Sequence, residues 1–263
     1  MKNSKKLRGI WLPLIIIMSW GIFSKMGLIN EYIMPPPEKV INTAASLVKS
    51  GQLQSHMRVS FARVIAGFAI TFAAAFPIAV LSGMSRKFED FLRPTLEFIR
   101  HIPPIALIPM LILWFGIGEA SKLSIIFLAT FFPIYLNTVS GIKEADKKLI
   151  QVGRVFELRG SEIFFRIILP QAMPSILVGM QIGLGYSWRA LIGAELIAAS
   201  SGVGYMIIDA EQLSRPDIII IGIIAIGITG YIIDAVFMEV TKRITSWNGG
   251  EREIGANVDK KCS

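Results

Sequence analysis

Cysteine is almost absent from this chain. The single Cys262 excludes an intrachain disulfide and any cysteine-built metal cluster. The two histidines, His56 and His101, stand too far from other ligand types to suggest a metal site. No GxxxxGK[ST] motif occurs, and Gly-Lys appears nowhere, so the chain is not expected to cradle nucleotide phosphates itself. Serine, histidine and carboxylates form no triad pattern. There is no fixed-period repeat and no soluble signalling domain. Charge is also scarce, at 17% of residues. These absences argue against a catalytic chain and predict no metal and no resident cofactor.

Apolar sequence fills the space that charge leaves. The 263 residues are 53% hydrophobic, and the mean hydropathy is +0.58, too apolar for a soluble domain of this length. A net charge of +8 and a pI near 9.7 would suit nucleic acid or cationic cytoplasmic loops. The position of the charges decides. On the topology below, most of the 27 lysines and arginines lie on one side. Only Lys39, Lys49, Lys122 and Arg215 fall on the other, which is the positive-inside bias and not a nucleic-acid patch.

The pattern predicts an all-α membrane protein with six transmembrane helices and both termini cytoplasmic. Residues 1–9 form a basic N-tail, and a retained first span runs over about 10–28. Residues 38–48 read as a short amphipathic helix on the outer face, after the stiff Pro35-Pro36-Pro37 stretch. Further spans are expected over 59–83 (with Pro77 inside), 91–116, 123–139 (with Pro133 inside), 173–200 and 216–240. Residues 200–216 form an outer loop, and 246–263 a loose cytoplasmic tail. The six-span domain thus covers 10–245. In the third span Pro103, Pro104 and Pro109 leave backbone groups unpaired. Lipid does not tolerate this, so the region should be buried or face a water-filled cavity. Arg93 and Arg100 are expected to snorkel to the inner headgroups. Gly179 and Gly183 make a GxxxG pattern suited to close helix approach.

One polar segment, 149–174, LIQVGRVFELRGSEIFFRIILPQAMP, interrupts the apolar runs inside a loop over 142–172. Its spacing predicts two short helices with apolar faces, Leu149, Val152 and Phe156 on the first, and Ile163, Phe164, Ile167 and Ile168 on the second. Leu169-Pro170 is expected to stop the second helix. Arg154, Arg159 and Arg166 place it in the cytoplasm. It reads either as a helix on the lipid headgroups or as a docking surface for a partner.

This segment resembles the coupling loop of bacterial ATP-binding-cassette importer permeases, whose pattern is Glu-Ala-Ala, three residues, Gly, nine residues, Ile, one residue, Leu-Pro. Ile167, Leu169 and Pro170 match its end. Gln151, Val152, Gly153 and Glu157 fall on the first half and differ from its usual residues. With Glu157 in the glycine position, Gly160 is expected to make the turn and lengthen the first helix. LILWFGIGEASK (111–122), FFPIYLNTVSGI (131–142), ILPQAMPSILVGMQIGLG (168–185), GAELIAASSGVGYM (193–206) and SFARVIAGF (60–68) are similar to the nitrate/sulfonate/taurine branch, over roughly 35–245. The resemblance implies the type I importer permease fold and a non-catalytic subunit in the bacterial inner membrane. It implies pairing with a second permease chain as a homodimer, two ATPase subunits carrying ATP and Mg, and an extracytoplasmic binding protein. It also implies that Gln151, Val152, Gly153, Phe156, Glu157, Arg159, Gly160, Phe164, Ile167, Leu169 and Pro170 form the ATPase-coupling surface.

Ionisable residues inside spans are functional candidates. Arg189 and Glu195 in the fifth span qualify, six residues apart and so on different faces. Arg189 reads as a cation attracting an anionic substrate or as half of an interhelical pair. Together with Pro103 and Pro104 the two residues make up the expected substrate path. Asp234 in the sixth span reads as structural. The expected activity is import of a small anion, with sulfonates or taurine ahead of nitrate, bicarbonate or a thiamine-precursor-like molecule. The rivals are a self-sufficient secondary transporter or channel, and a non-transporting scaffold.

Overall fold

The computed structural model describes residues 2–28 and 30–244, with side chains from Trp11 onward. Every regular element among them is helical. The N-tail is not separate, because α1 runs continuously over Lys2–Lys25. It stops at Lys25, short of the expected residue 28, and Gly27 follows with φ 70°. The tail 246–263 and Cys262 lie outside the described residues.

Cα clustering divides the chain into two compact units. One comprises residues 1–62 and 192–229. Here α2 (Pro37–Lys49) is the amphipathic helix expected from its spacing. Its Val40 and Leu47 pack on Ile221, with Trp20, Leu53 and Ile218 around them. Asp217, the second residue of α11 (Pro216–Ile244), ties the pieces together. It accepts hydrogen bonds from Thr43 Oγ1 at 2.8 Å and from Arg215 Nη2 at 2.8 Å. The expected loop over 200–216 contains a further helix, α10 (Val203–Gln212). Asp209 and Glu211 made this stretch look like loop, but Val203, Met206 and Ala210 are buried on one helical face.

The other unit comprises, among the described residues, 63–191 and 230–244. Most of α3 (Gln52–Met84) packs on α6 (Glu119–Lys143) here. Ala75 and Ala79 meet Phe131, Ile134, Tyr135 and Val139, with Phe68, Phe72 and Phe132 around them. The small residues let bulky aromatics approach closely, which drives helix association in lipid. The GxxxG pair works as its spacing predicts: a Cβ on Gly179 would stand 2.7 Å from Asn137 Cβ and 2.8 Å from the Pro133 carbonyl.

Two expected spans differ from the structure. The third is not one helix over 91–116. It is broken into α4 (Arg86–Arg100) and a second limb, the 3-10 turn Pro104–Leu107 continued by α5 (Ile108–Phe115), with an 82° bend between the limbs. Pro103 and Pro104 have no amide hydrogens to continue the ladder of α4. The fifth span does not start at 173, and Leu169-Pro170 does not stop the preceding helix. Helix α8 (Gly160–Ile163) passes through a π turn, Phe164–Ile168, into α9 (Leu169–Ile197). At the turn, the Leu169 amide donates to the Phe164 carbonyl, five residues back. The wider turn gives Pro170 room, and Pro174 sits inside α9.

Among the described residues, by length and composition, four helices can each cross a membrane: α3, α6, α8 continued through α9, and α11. The bent pair makes a fifth if it is one broken span, and Trp11–Lys25 is a shorter apolar helix.

Candidate functional site: the loop after α6 and an arginine-lined cavity

The loop after α6 is pinned at both ends. Lys143 Nζ pairs with Glu89 at 2.5 Å, and the Asp146 amide donates to Gln171 Oε1 at 2.8 Å. Asp146 then caps α7 (Lys147–Val155), its carboxylate accepting from the Lys148 amide at 2.7 Å. The helix is shorter than expected, because Glu157 itself makes the turn. Its φ is 59°. The Leu158 amide donates to the Gly153 carbonyl and the Glu157 amide to the Arg154 carbonyl, each at 3.0 Å. That is a Schellman ending, in which the left-handed position usually falls to glycine. Gly160 instead opens α8, where the Arg159 amide donates to Glu162 Oε2 at 2.9 Å.

The two apolar clusters read from the sequence have opposite fates. On α7, Leu149, Val152 and Phe156 are exposed, Phe156 by 75%, and Val155 beside them by 81%. Gln151, Glu157 and Arg159 are exposed as well. The second cluster turns inward. Ile163 and Ile168 are buried with Ile142, Ala145, Ala172 and Ile176, while Phe164, Ile167 and Leu169 pack around them. Gly153 is buried beneath this arm, with Ile167 Cδ1 2.8 Å from where its Cβ would be. Phe164 and Ile167, expected on the docking surface, are therefore anchors of the loop. Phe165, which the spacing did not single out, is 64% exposed.

Arg189 sits in the second half of α9 and lines a cavity of about 640 Å³ together with Pro103 and Pro104. The remaining walls are mainly apolar, including Leu107, Phe132, Leu136 and Ile182. Arg189 Nε donates to the Gly185 carbonyl at 3.1 Å, and its guanidinium carbon lies 5.0 Å from the Tyr186 ring centre. A Cβ on Gly185 would lie 3.3 Å from Arg189 Nη2 and 3.9 Å from Asp234 Oδ1.

Residues 72–246 match the family described as binding-protein-dependent transport system inner membrane component. The chain belongs to this family of transport permeases. A putative aliphatic sulfonates transport permease of Bacillus subtilis (strain 168) is 37% identical, over 92% of this chain and 87% of that one. The taurine transport system permease of Escherichia coli (strain K12) is 30% identical, over 89% and 87%. A nitrate import permease of Synechocystis is 35% identical over 66% and 64%. A chain of the MetNI methionine ABC transporter, solved in inward-facing conformations, shares the fold: TM-score 0.61 at 16% identity, over 74% of this chain and 96% of that one. The protein is thus a multi-pass membrane permease.

Glu195 does not line the permease's cavity. It is 1% exposed and enclosed by donors. Ser60 Oγ donates to its carboxylate at 2.8 Å, and the Gly204 amide at 3.0 Å. The Val203 amide donates to Ser60 Oγ at 2.9 Å, and the Gly202 amide to His56 Nδ1 at 3.1 Å. A Cβ on Gly202 would collide with the carboxylate. A buried carboxylate needs such partners, and here they fasten the start of α10 to α3. Its sequence signal, an ionisable residue in a span, is the same one that singled out Arg189.

Proposed function

We propose that this chain is the transmembrane subunit of an ATP-driven importer for a small organic anion, an aliphatic sulfonate or taurine. It crosses the bacterial inner membrane six times, with both termini cytoplasmic. Two copies form the pathway, and an extracytoplasmic binding protein delivers substrate. ATP and Mg bind a separate ATPase, present in two copies, whose closure moves the 149–170 loop and so the spans. The observation that carries this reading is the exposed apolar face of α7. Leu149, Val152, Val155 and Phe156 point outward on a helix that Asp146 and Gly153 fix to the start of one membrane-length run, α8 continued through α9. Contiguous exposed apolar surface of this kind marks an interaction site, and this one is joined rigidly to what it would move. The names of the relatives and the arginine in the cavity support an anionic substrate.

The test is mild-detergent purification of the tagged chain from its native membranes, beside Phe156→Asp. The wild type is expected to bring down an ATPase, and the variant to lose it at an equal membrane level. Recovery of the wild-type chain alone, under conditions that preserve other importers, overturns the reading in favour of a self-sufficient transporter.

A further inference from the structure

Arg189 is not the only cation in its cavity. Arg100, the last residue of α4, lines the same space. Among the described residues neither arginine makes an ion pair, while the neighbouring Arg93 and Lys143 do. Arg93 Nε binds Glu97 Oε1 at 3.0 Å, and Lys143 binds Glu89. Both of those pairs line an adjoining cleft of about 340 Å³, which shares Arg100, Phe132 and Leu136 with the main cavity. Asp234 approaches Arg189 across Gly185 but is not part of the cavity wall.

Depth explains why this matters. The 3-10 turn and α5 together rise by only about 20 Å, at ~2.0 and ~1.5 Å per residue. The hydrocarbon core is about 30 Å thick. With the Gly116 turn at the outer surface, Pro104 falls inside the membrane, and the 82° bend before it turns α4 aside instead of carrying the chain straight on to the inner headgroups where snorkelling would place Arg100. A charged residue at that depth faces the protein interior or a water-filled cavity. Two guanidinium groups in one mainly apolar space repel each other, and an oxyanion between them relieves that repulsion. Guanidinium donors match an oxyanion's planar edges with paired hydrogen bonds.

We propose that Arg100 and Arg189 together seat the head group of an organic anion, and that Leu107, Phe132, Leu136 and Ile182 receive an apolar tail. This rests on the importer reading and narrows its substrate to tail-bearing monoanions such as alkanesulfonates. Nitrate has no tail for the walls to cover. Taurine would bring an ammonium group toward two guanidinium groups. The volume lies within the ~300–1,000 Å³ of small-molecule sites.

The test uses the full chain with Cys262→Ser and Arg100→Cys, in membranes that also hold its partner subunits. Two thiol reagents are compared, 2-sulfonatoethyl methanethiosulfonate and its trimethylammonium analogue. With Arg189 intact, the anionic reagent is expected to react ~10-fold faster relative to the cationic one than with a free thiol, the size of effect that a focused field produces. Arg189→Gln should remove the preference. With both arginines present, excess hexanesulfonate should compete with labelled hexanesulfonate uptake, and nitrate and taurine should not. In uptake assays Arg100→Gln should lower hexanesulfonate import at least ~10-fold with normal membrane levels, and Arg100→Lys should restore part of it. Equal rates for the two reagents, or hexanesulfonate import unchanged in Arg100→Gln, overturn the two-arginine seat. If this happens while Phe156→Asp still releases the ATPase, the importer reading stands and only the seat falls.

Discussion

The two arms of the loop between α6 and α9 look alike in sequence and differ in structure. Both carry apolar residues at helical spacing, and both carry arginines. On α7 the apolar face is bare, with Val155 81% and Phe156 75% exposed. On the second arm Ile163 and Ile168 are buried, and Ile167 closes over Gly153. Periodicity establishes that an apolar face exists. It does not say what covers that face. Here one arm is covered by the protein itself, and that makes the other arm's exposure meaningful. A surface can transmit force only if something holds it in place.

The sharpest way to break the comparison is to charge the buried arm. Ile168→Asp places a carboxylate among Ile142, Ala145, Ala172 and Ile176. Burying an unpaired polar group costs several kcal/mol, roughly 3 or more. The variant is expected to lose the chain from the membrane fraction, with immunoblot level and thermal stability in detergent as the readouts. Normal accumulation would mean that the arm is loosely held and the anchor assignment is wrong.

A smaller disturbance tests the joint between the arms. A Cβ on Gly153 would stand 2.8 Å from Ile167 Cδ1 and 3.4 Å from Ile163 Cγ1. Gly153→Leu must push α7 off the second arm, at a cost of about 1–3 kcal/mol for overpacking. The chain should still insert, with a lowered melting temperature and weakened ATPase recovery. Gly153→Ala meets only the movable end of Ile167 and should cost much less. Similar losses for both variants would show that the position resists any side chain, so the backbone and not the Ile167 contact sets the spacing.

Much of this was legible before the structure. The long apolar runs, the amphipathic helix over 38–48 and the polar loop with two short helical arms all follow from composition and spacing, because lipid forces backbone pairing into helices. Arg189 was legible as an isolated charge in an apolar run. Arg100 was not, since next to Arg93 and Glu97 it looks like one of many charges at a helix end. Only the bend at Pro103-Pro104 brings it to the cavity, and bends depend on which backbone groups find partners. Glu195 was legible as a charge but not as a sealed one. Its donors, Ser60 and Gly204, lie on α3 and α10, a long-range pairing that no local pattern reports. Phe164 and Phe165 are neighbours that differ in exposure, Phe164 half-buried and Phe165 exposed, a difference the spacing did not single out.

Glu157 gives a gain where the other changes give losses. It holds φ 59° at the end of α7, a conformation that costs an L-residue roughly 1–2 kcal/mol and glycine little. Part of that is offset by glycine's greater freedom in the unfolded chain. Glu157→Gly is therefore expected to raise stability by about 1 kcal/mol, read as a higher melting temperature in detergent, with ATPase recovery unchanged. A lower melting temperature would mean that the exposed carboxylate contributes more than the backbone strain removes.

The smallest effect on folding belongs to the bare face, and there it carries the most information. Val155→Asp and Phe165→Asp replace exposed side chains, and surface substitutions of this kind shift stability by no more than about 0.5 kcal/mol. Val155 lies on the outward arm, beside Phe156. Phe165 lies on the anchored arm but points away from the packing around its neighbour Phe164. Both variants are expected to accumulate and melt like the wild type, and Val155→Asp is expected to release the ATPase. Phe165→Asp then sets the extent of the docking surface. Release would extend it across the π turn, so that α7 and the second arm are gripped together. Retention would confine it to α7 and leave the second arm a pure anchor. If Val155→Asp retains its partner as well, the bare face of α7 is not the contact, and the difference between the arms reflects contact with lipid headgroups instead.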